Sequence, residues 1–139
     1  MTKIVYNACY GGFSLSNEAV IRYAEIKGIT LYASKSKFGF TNYYLCSPDE
    51  WEQIHAEEQL NPVGPGRFAR SNAMYFADRD IDRADPALAQ VVEELGDKAN
   101  GNHAELRIEE LEDGTMYRID EYDGRETVET KDSYDWKVA

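Results

Sequence analysis

Two Asp-Gly dipeptides divide the C-terminal third of the chain, and they constrain its fold more than any other feature. Asp113-Gly114 and Asp123-Gly124 separate three segments with strand-like composition, 104–111, 115–122 and 125–131. Asp-Gly is favoured in tight hairpin turns because the central residues of such turns need a positive φ. In the first segment apolar and charged residues alternate, which is typical of a strand with one packed and one wet face. These residues predict a three-stranded antiparallel meander.

Three segments carry helix signals. The first begins after Ser16, a good N-cap, and ends at Gly28. The sharpest signal is Ser47-Pro48-Asp49-Glu50, where Ser at N-cap, Pro at N1 and Glu at N3 predict a helix that runs to about Leu60. Asp85-Pro86 opens the third helix in the same way, and a clean apolar stripe follows it.

The remaining strands are predicted in the N-terminal half. Segments 3–10, 29–33 and 40–46 are rich in β-branched and aromatic residues, and 73–77 is a short candidate. Between them, residues 61–72 carry two prolines and two glycines and predict a long surface loop.

Together these elements predict an α+β fold, with a mostly antiparallel sheet, about three helices and the C-terminal meander. We find neither an internal repeat nor a linker, so residues 1–139 are expected to form a single domain. No apolar run approaches the roughly 18–20 residues that a membrane span needs, and no signal-peptide core follows Met1. We therefore expect an acidic, soluble, intracellular protein without a membrane partner.

The net charge of −11 falls on one half of the chain. Residues 1–70 hold seven basic and seven acidic residues, whereas residues 71–139 hold eight basic and 19 acidic. We expect no direct nucleic-acid binding, because that affinity comes largely from Lys and Arg neutralising phosphates. A host protein with a basic surface would be complementary, and a solvated surface that keeps the chain soluble is the simpler alternative.

Most enzyme signatures are absent from the sequence: there is no P-loop, GxGxxG, HExxH or paired CxxC. Cys9 and Cys46 are interpreted as reduced, buried thiols, and neither His55 nor His103 lies in a catalytic signature. The acidic run 78–89 fails as a calcium loop at the positions that require Gly and Glu. We therefore predict no catalytic residue, metal or cofactor, while a Cys/His enzyme stays an alternative that spacing leaves open.

Two segments together have the composition of an anion-binding site. Residues 35–44 interleave cations with aromatic rings, and the loop GPGRFAR follows at 64–70. Glycine lets backbone N–H groups approach an anion, arginine matches phosphate geometry, and a ring can stack a base. A packed aromatic strand followed by an ordinary surface loop is the alternative. The candidate ligand-binding residues are Arg67 and Arg70 for phosphate, Lys37, Phe40 and Tyr43 along the aromatic segment, and Tyr10 and Phe13 in the turn 10–13.

The opening VYNACYGGFSLSNEAV and the later DPALAQVVEELGDKANG, followed by IDEYDG, together resemble a family of small uncharacterised phage and prophage proteins. The resemblance covers about the first 30 residues and residues 78–126. It implies phage origin and action in the host cytoplasm, and it supplies no activity and no catalytic residues. The ending DSYDWKVA departs from the basic-aromatic ending usual in that family.

By analogy with other small accessory phage proteins, we expect a role in host takeover or against host defence. The leading hypothesis is a non-enzymatic protein that captures a small phosphorylated, nucleotide-like ligand. The alternative is an acidic inhibitor of a host protein, including one that mimics nucleic acid. A symmetric homodimer through paired strand edges is a further expectation, since two-fold dimers are the commonest oligomers.

Overall fold

The computed structural model describes residues 1–35, 39–60, 69–131 and 137–139. In chain order the elements are β1 (Thr2–Asn7), α1 (Asn17–Lys27), β2 (Tyr32–Lys35), β3 (Thr41–Tyr44), α2 (Pro48–Gln59), α3 (Ala69–Ala73), β4 (Tyr75–Phe76), α4 (Pro86–Leu95), β5 (Leu106–Leu111), β6 (Tyr117–Tyr122) and β7 (Arg125–Thr130), with 3₁₀ turns at Asp78–Asp80 and Gly96–Ala99. Every pairing between these strands is antiparallel. The predicted α+β class is therefore confirmed.

The described chain forms two compact units. The first unit comprises Met1–Tyr23 and Asp78–Ala139, and the second comprises Ala24–Ala77. Helix α1 begins in the first unit and continues into the second. The single domain over residues 1–139 stays a prediction.

The C-terminal strands of the first unit follow one another as predicted. β6 and β7 pair from Tyr117↔Thr130 to Tyr122↔Arg125. The two residues between them, Asp123 and Gly124, have φ values of 51° and 88°, as the tight hairpin turn requires. β5 pairs antiparallel with β1, so the first of the three predicted meander strands joins the N-terminal strand and not β6.

The core of the first unit lies between β1 and α4. Ile4 and Val5 of β1, and Leu88 and Val91 of α4, are fully buried. α4 begins where the sequence predicts, since the Asp85 carboxylate accepts a hydrogen bond from the Ala87 N–H at 2.9 Å. The apolar stripe of this helix therefore covers the sheet that carries the N-terminal strand.

Among the described residues, the second unit contains a three-stranded sheet together with α2, α3 and the end of α1. β3 lies between β2 and β4, and Ser47 caps α2 by accepting the Glu50 N–H at 3.2 Å. The buried Glu58 carboxylate accepts both the N–H and the hydroxyl of Ser71, and thereby holds α3 against α2. The helix at 69–73 corrects the predicted loop 61–72 over its last residues, because Ser71 has this buried partner 13 positions upstream.

Strand boundaries differ from the predictions by a few residues. β1 ends at Asn7, earlier than the predicted 3–10; Ala8 still donates to the Glu105 carbonyl oxygen, and the chain then turns at 9–11. β2 begins at Tyr32 and runs to Lys35, where the composition predicts 29–33. In the part of the chain that the structure describes, no helix is both long enough and apolar enough to cross a membrane.

Candidate functional site

Asn7 organises the end of β1 in the first unit. It is fully buried, and its side chain accepts a hydrogen bond from the Glu105 N–H and donates to the carbonyl oxygens of Cys9 and Gly124, each at 2.8 Å. Its own N–H donates to Glu126 Oε1 at 2.9 Å. One asparagine therefore ties three separate segments of the chain together where the strand ends. Buried polar groups that are fully bonded in this way specify one local structure.

Glu126 also binds Arg83, and this ion pair is nearly buried. The side chains of Arg83 and Glu126 are 12% and 9% exposed, and Nη2 lies 3.0 Å from Oε2. The guanidinium donates further hydrogen bonds to the carbonyl oxygens of Arg79 and Ile81. Its Cζ lies 3.5 Å from the centre of the Phe13 ring, a cation–π contact. The Phe13 ring therefore packs against a guanidinium that Glu126 and two carbonyl oxygens hold in position.

The turn Tyr10–Phe13 packs so closely on its neighbours that glycine is required at two positions. A Cβ on Gly11 would lie 1.8 Å from the His103 carbonyl oxygen. A Cβ on Gly124 would lie 2.5 Å from the Tyr10 carbonyl oxygen and 2.6 Å from the Gly12 nitrogen. No real Cβ tolerates such distances, so these glycines let main chain meet main chain. The turn is held in one place by contact on both sides.

The turn also carries an exposed aromatic ring. Tyr10 is 59% exposed, and the Arg125 guanidinium lies 5.7 Å from the centre of its ring. Arg125 and His103 are exposed as well. An aromatic face and a guanidinium therefore lie at one glycine-rich turn, against which the main chain of His103 packs. These groups can stack a planar ring and bind an anion.

The two cysteines differ in burial, since Cys46 is buried as predicted whereas Cys9 is only partly buried. Cys9 Sγ lies 2.8 Å from the backbone carbonyl oxygen of His103 and donates to it, so the contact with His103 is to its main chain. Cys46 is buried, and burial raises the pKa of its thiol, with a further contribution from the Glu50 carboxylate. A raised pKa keeps the thiol protonated and weakly nucleophilic. The Cys/His alternative therefore gains no support from either residue.

The other predicted ligand residues belong to the second unit. Lys37 and Arg67 lie outside the described residues. Arg70, in α3, is exposed, and its Nη1 lies 3.4 Å from Glu57 Oε2. Phe40 is 64% exposed, whereas Tyr43 is buried and burial raises the pKa of its phenol. Tyr10 and Phe13 are thus in the first unit and the remaining candidates in the second.

No group of three His, Cys, Asp or Glu side chains in the described ranges is arranged to hold a metal ion. Carboxylates of the acidic run that starts at Asp78 instead accept main-chain hydrogen bonds. Asp78 accepts the Leu15 N–H at 2.8 Å, and Asp82 accepts the Ala84 N–H at 2.9 Å. These carboxylates therefore have structural partners.

Sequence reasoning missed Arg83, His103, Arg125 and Glu126 as neighbours of the turn. One signal was available, since Asn7 is a polar residue at the end of an apolar strand, where a buried amide needs partners. The four missed residues lie about 70 to 120 positions away from the turn, and no local pattern connects them to it.

Comparisons with known proteins add no relative. No protein-family model matches the chain, and searches of curated proteins and of solved structures find no significant match.

Proposed function

We propose that this chain is a non-enzymatic phage accessory binding protein that captures a small anionic, nucleotide-like ligand in the host cytoplasm. The observation that carries the proposal is the exposed Tyr10 ring beside Arg125, on a turn that packs closely against His103 and Gly124. A ring and a cation supply the two contacts that a nucleotide needs, stacking and charge.

Preorganisation of the turn supports this function. Ordering a flexible loop on binding costs free energy, and a turn that is already held in place avoids that cost. Gly11 and Gly124 allow the close contacts, and Phe13 rests on the guanidinium of Arg83. The unit around the turn is strongly acidic, so an anion would be repelled unless cations lie at the site itself. Arg125 is such a cation.

The experiment is native mass spectrometry of the full chain before and after incubation with a nucleotide extract of phage-challenged host cells. A discrete added mass that is lost on denaturation and recovered unmodified is the expected result. A ligand that returns chemically altered would make the protein an enzyme and refute the non-enzymatic proposal.

Variants locate the ligand. Tyr10→Ala and Arg125→Ala should each remove the added mass, whereas Tyr10→Phe keeps the ring and should retain it. Lys98→Ala removes an exposed cation elsewhere in the same unit and is the matched control. If Tyr10→Ala and Arg125→Ala bind as the wild type does, the turn is not the site.

A second function is favoured by the charge of the first unit. That unit holds 20 acidic and 10 basic residues, and 14 of its acidic residues are exposed within the described ranges. Such a surface suits an inhibitor that occupies a basic site on a host protein, as a nucleic-acid mimic would. Binding should then weaken sharply as salt rises from low to high concentration, because exposed charges are screened. Salt-independent binding to a host protein would exclude this mode.

A further inference from the structure

The β6–β7 hairpin leaves one edge of β6 without a strand partner among the described residues. In a hairpin with a two-residue turn, the residues that flank the turn form a hydrogen-bonded pair, here Tyr122 and Arg125. Hydrogen-bonded and non-hydrogen-bonded pairs then alternate along the ladder. The main-chain groups of Tyr117, Ile119 and Glu121 therefore face away from β7, and they offer three N–H and three C=O groups at the outer edge.

The side chains along this edge are unusually exposed for their type. Met116 is 65% exposed and Tyr122 is 76% exposed, at opposite ends of the strand. Between them, Arg118 and Asp120 are exposed on the same face of the strand, two positions apart. Exposed edges attract a further strand, and this one carries both apolar and charged groups that a partner strand could match.

We propose that β6 pairs with β6 of a second copy of this chain, antiparallel, about a two-fold axis at Ile119. Only residues whose main-chain groups face outward can form hydrogen-bonded pairs across the new interface. Ile119 then faces the partner's Ile119, and Tyr117 faces the partner's Glu121. By symmetry the pairing makes six hydrogen bonds and joins the two hairpins into one four-stranded sheet.

This register makes the side chains self-complementary. Arg118 faces the partner's Asp120, and the two-fold axis repeats that ion pair on the other side. Extending the register by one residue places Met116 opposite the partner's Tyr122, so the two most exposed apolar side chains of the edge cover each other. Cross-strand pairs of these kinds stabilise a sheet.

The neighbouring registers are disfavoured by like charges. Shifting the pairing by two residues in one direction places Arg118 opposite the partner's Arg118. Shifting it by two in the other direction places Asp120 opposite the partner's Asp120. Like charges directly opposite each other destabilise a sheet. The positions of Arg118 and Asp120 on either side of Ile119 therefore favour a second copy of the chain as the partner and this register of pairing. The proposal rests on β6 alone, and the ligand proposal can fail without affecting it.

The test is the oligomeric state of the full chain by sedimentation velocity, from low to high micromolar concentration, because a single strand edge is a small interface. The wild type is expected to dimerise with rising concentration. Arg118→Asp and Asp120→Arg should each weaken the dimer at least tenfold, since each places like charges opposite each other. An equimolar mixture of these two variants should dimerise again, because every facing pair in the mixed dimer is opposite in sign.

The matched control is Arg107→Asp on β5. Arg107 is exposed and forms an ion pair with Glu105 of its own strand, whereas Arg118 pairs with Glu129 across the hairpin. Arg107→Asp therefore matches the change in charge on an exposed strand position away from β6. This variant should dimerise as the wild type does. Circular dichroism of each variant establishes that it is folded, a check that Arg118→Asp needs because it places a second carboxylate opposite Glu129 within the hairpin.

A covalent test fixes the register. Residues in a hydrogen-bonded antiparallel pair have Cα atoms about 5.5 Å apart, within the range that a disulfide spans. Ile119→Cys should therefore form a disulfide-linked dimer under mild oxidation, and the wild type, which has Cys9 and Cys46, gives the background. A wild type that stays monomeric at every concentration, or a mixture of the two charge variants that fails to associate, overturns the proposal. Association of β6 with a basic segment of another protein in place of a second copy would overturn it as well.

Discussion

The two units of this chain differ in charge and in the way their interiors are held. The unit Met1–Tyr23 with Asp78–Ala139 carries 20 acidic and 10 basic residues, whereas Ala24–Ala77 carries six and five. The first unit buries an amide, Asn7, together with the Arg83–Glu126 ion pair. In the described part of the second unit, the corresponding feature is the bond between Glu58 and Ser71, which joins two helices that are close in sequence.

This difference explains why the site suggested by composition and the site supported by tertiary contacts lie in different units. The mixture of cations and rings that suggests a ligand is visible in the second unit, because those residues are neighbours in sequence. The turn Tyr10–Phe13 is supported by residues from distant segments of the first unit, among them Arg83 and Gly124. A sequence pattern reveals composition, whereas preorganisation depends on tertiary contacts.

Breaking the central polar contact of each unit should have the largest effect. Glu126→Gln leaves the nearly buried Arg83 without its countercharge and should lower the free energy of unfolding by about 3–5 kcal/mol. Glu58→Gln disturbs hydrogen bonds to Ser71 and should cost less, about 1–3 kcal/mol. Urea unfolding followed by circular dichroism measures both. Equal losses would mean that the two units depend on polar burial to the same degree.

Removing the arginines of each candidate site sharpens the comparison of ligand sites. Arg125→Ala should weaken binding of the captured ligand roughly tenfold to a hundredfold, as expected for a lost charged hydrogen bond. The double change Arg67→Ala with Arg70→Ala tests the site predicted from sequence, and by our proposal it should leave affinity within about twofold. Titration calorimetry with the ligand identified by mass spectrometry gives both values. The reverse ranking would return the site to the second unit.

Replacing one glycine in each unit separates the cost of a close contact from the cost of a positive φ. Gly11→Ala places a Cβ against the His103 carbonyl and should cost about 1–3 kcal/mol while also weakening ligand binding. Gly28→Ala has open space around its Cβ, so only its positive φ of 69° opposes the change, at about 1 kcal/mol. Thermal unfolding ranks the two variants. A wild-type melting temperature for Gly11→Ala would contradict the close contact.

The smallest expected effect is a pH dependence in the alkaline range. Burial, together with a hydrogen bond to Asp85 at 2.7 Å, raises the pKa of Tyr23 in the folded state. A raised folded pKa stabilises the protein below the ordinary tyrosine pKa, and that contribution is lost as the pH rises above it. Stability should therefore fall more steeply above about pH 10 in the wild type than in Tyr23→Phe. Urea titrations at a series of pH values measure the slopes, and parallel slopes would disprove the assignment.

Much of the local structure could be predicted from the sequence because its hydrogen bonds span only a few residues. Ser47 bonds to Glu50, Asp85 bonds to Ala87, and Asp123-Gly124 closes a hairpin between adjacent strands. α3 was not predicted, since a five-residue helix next to a Pro-Gly segment has little propensity of its own and depends on the buried Glu58 carboxylate.

The candidate site likewise combines residues that the sequence could identify with residues that it could not. Tyr10 and Phe13 could be named from sequence because a glycine pair beside aromatic residues marks a turn. Arg125 and His103 could not, because their place beside the turn follows from the pairing of strands far apart in the chain. The outward main-chain groups of β6 follow instead from the adjacent β6–β7 hairpin, and the order of its charges can be read directly from the sequence.

The sequence by itself determined the α+β class, the helix caps, the tight hairpin turn and the acidic character of residues 71–139, because each depends on composition or on contacts within a few residues. The tertiary structure decided which strand β5 pairs with and how the turn Tyr10–Phe13 is held. The physical reason is separation along the chain. The bond from the Asn7 N–H to Glu126 joins residues 119 positions apart, and only the folded chain brings such groups out of water and within reach of each other.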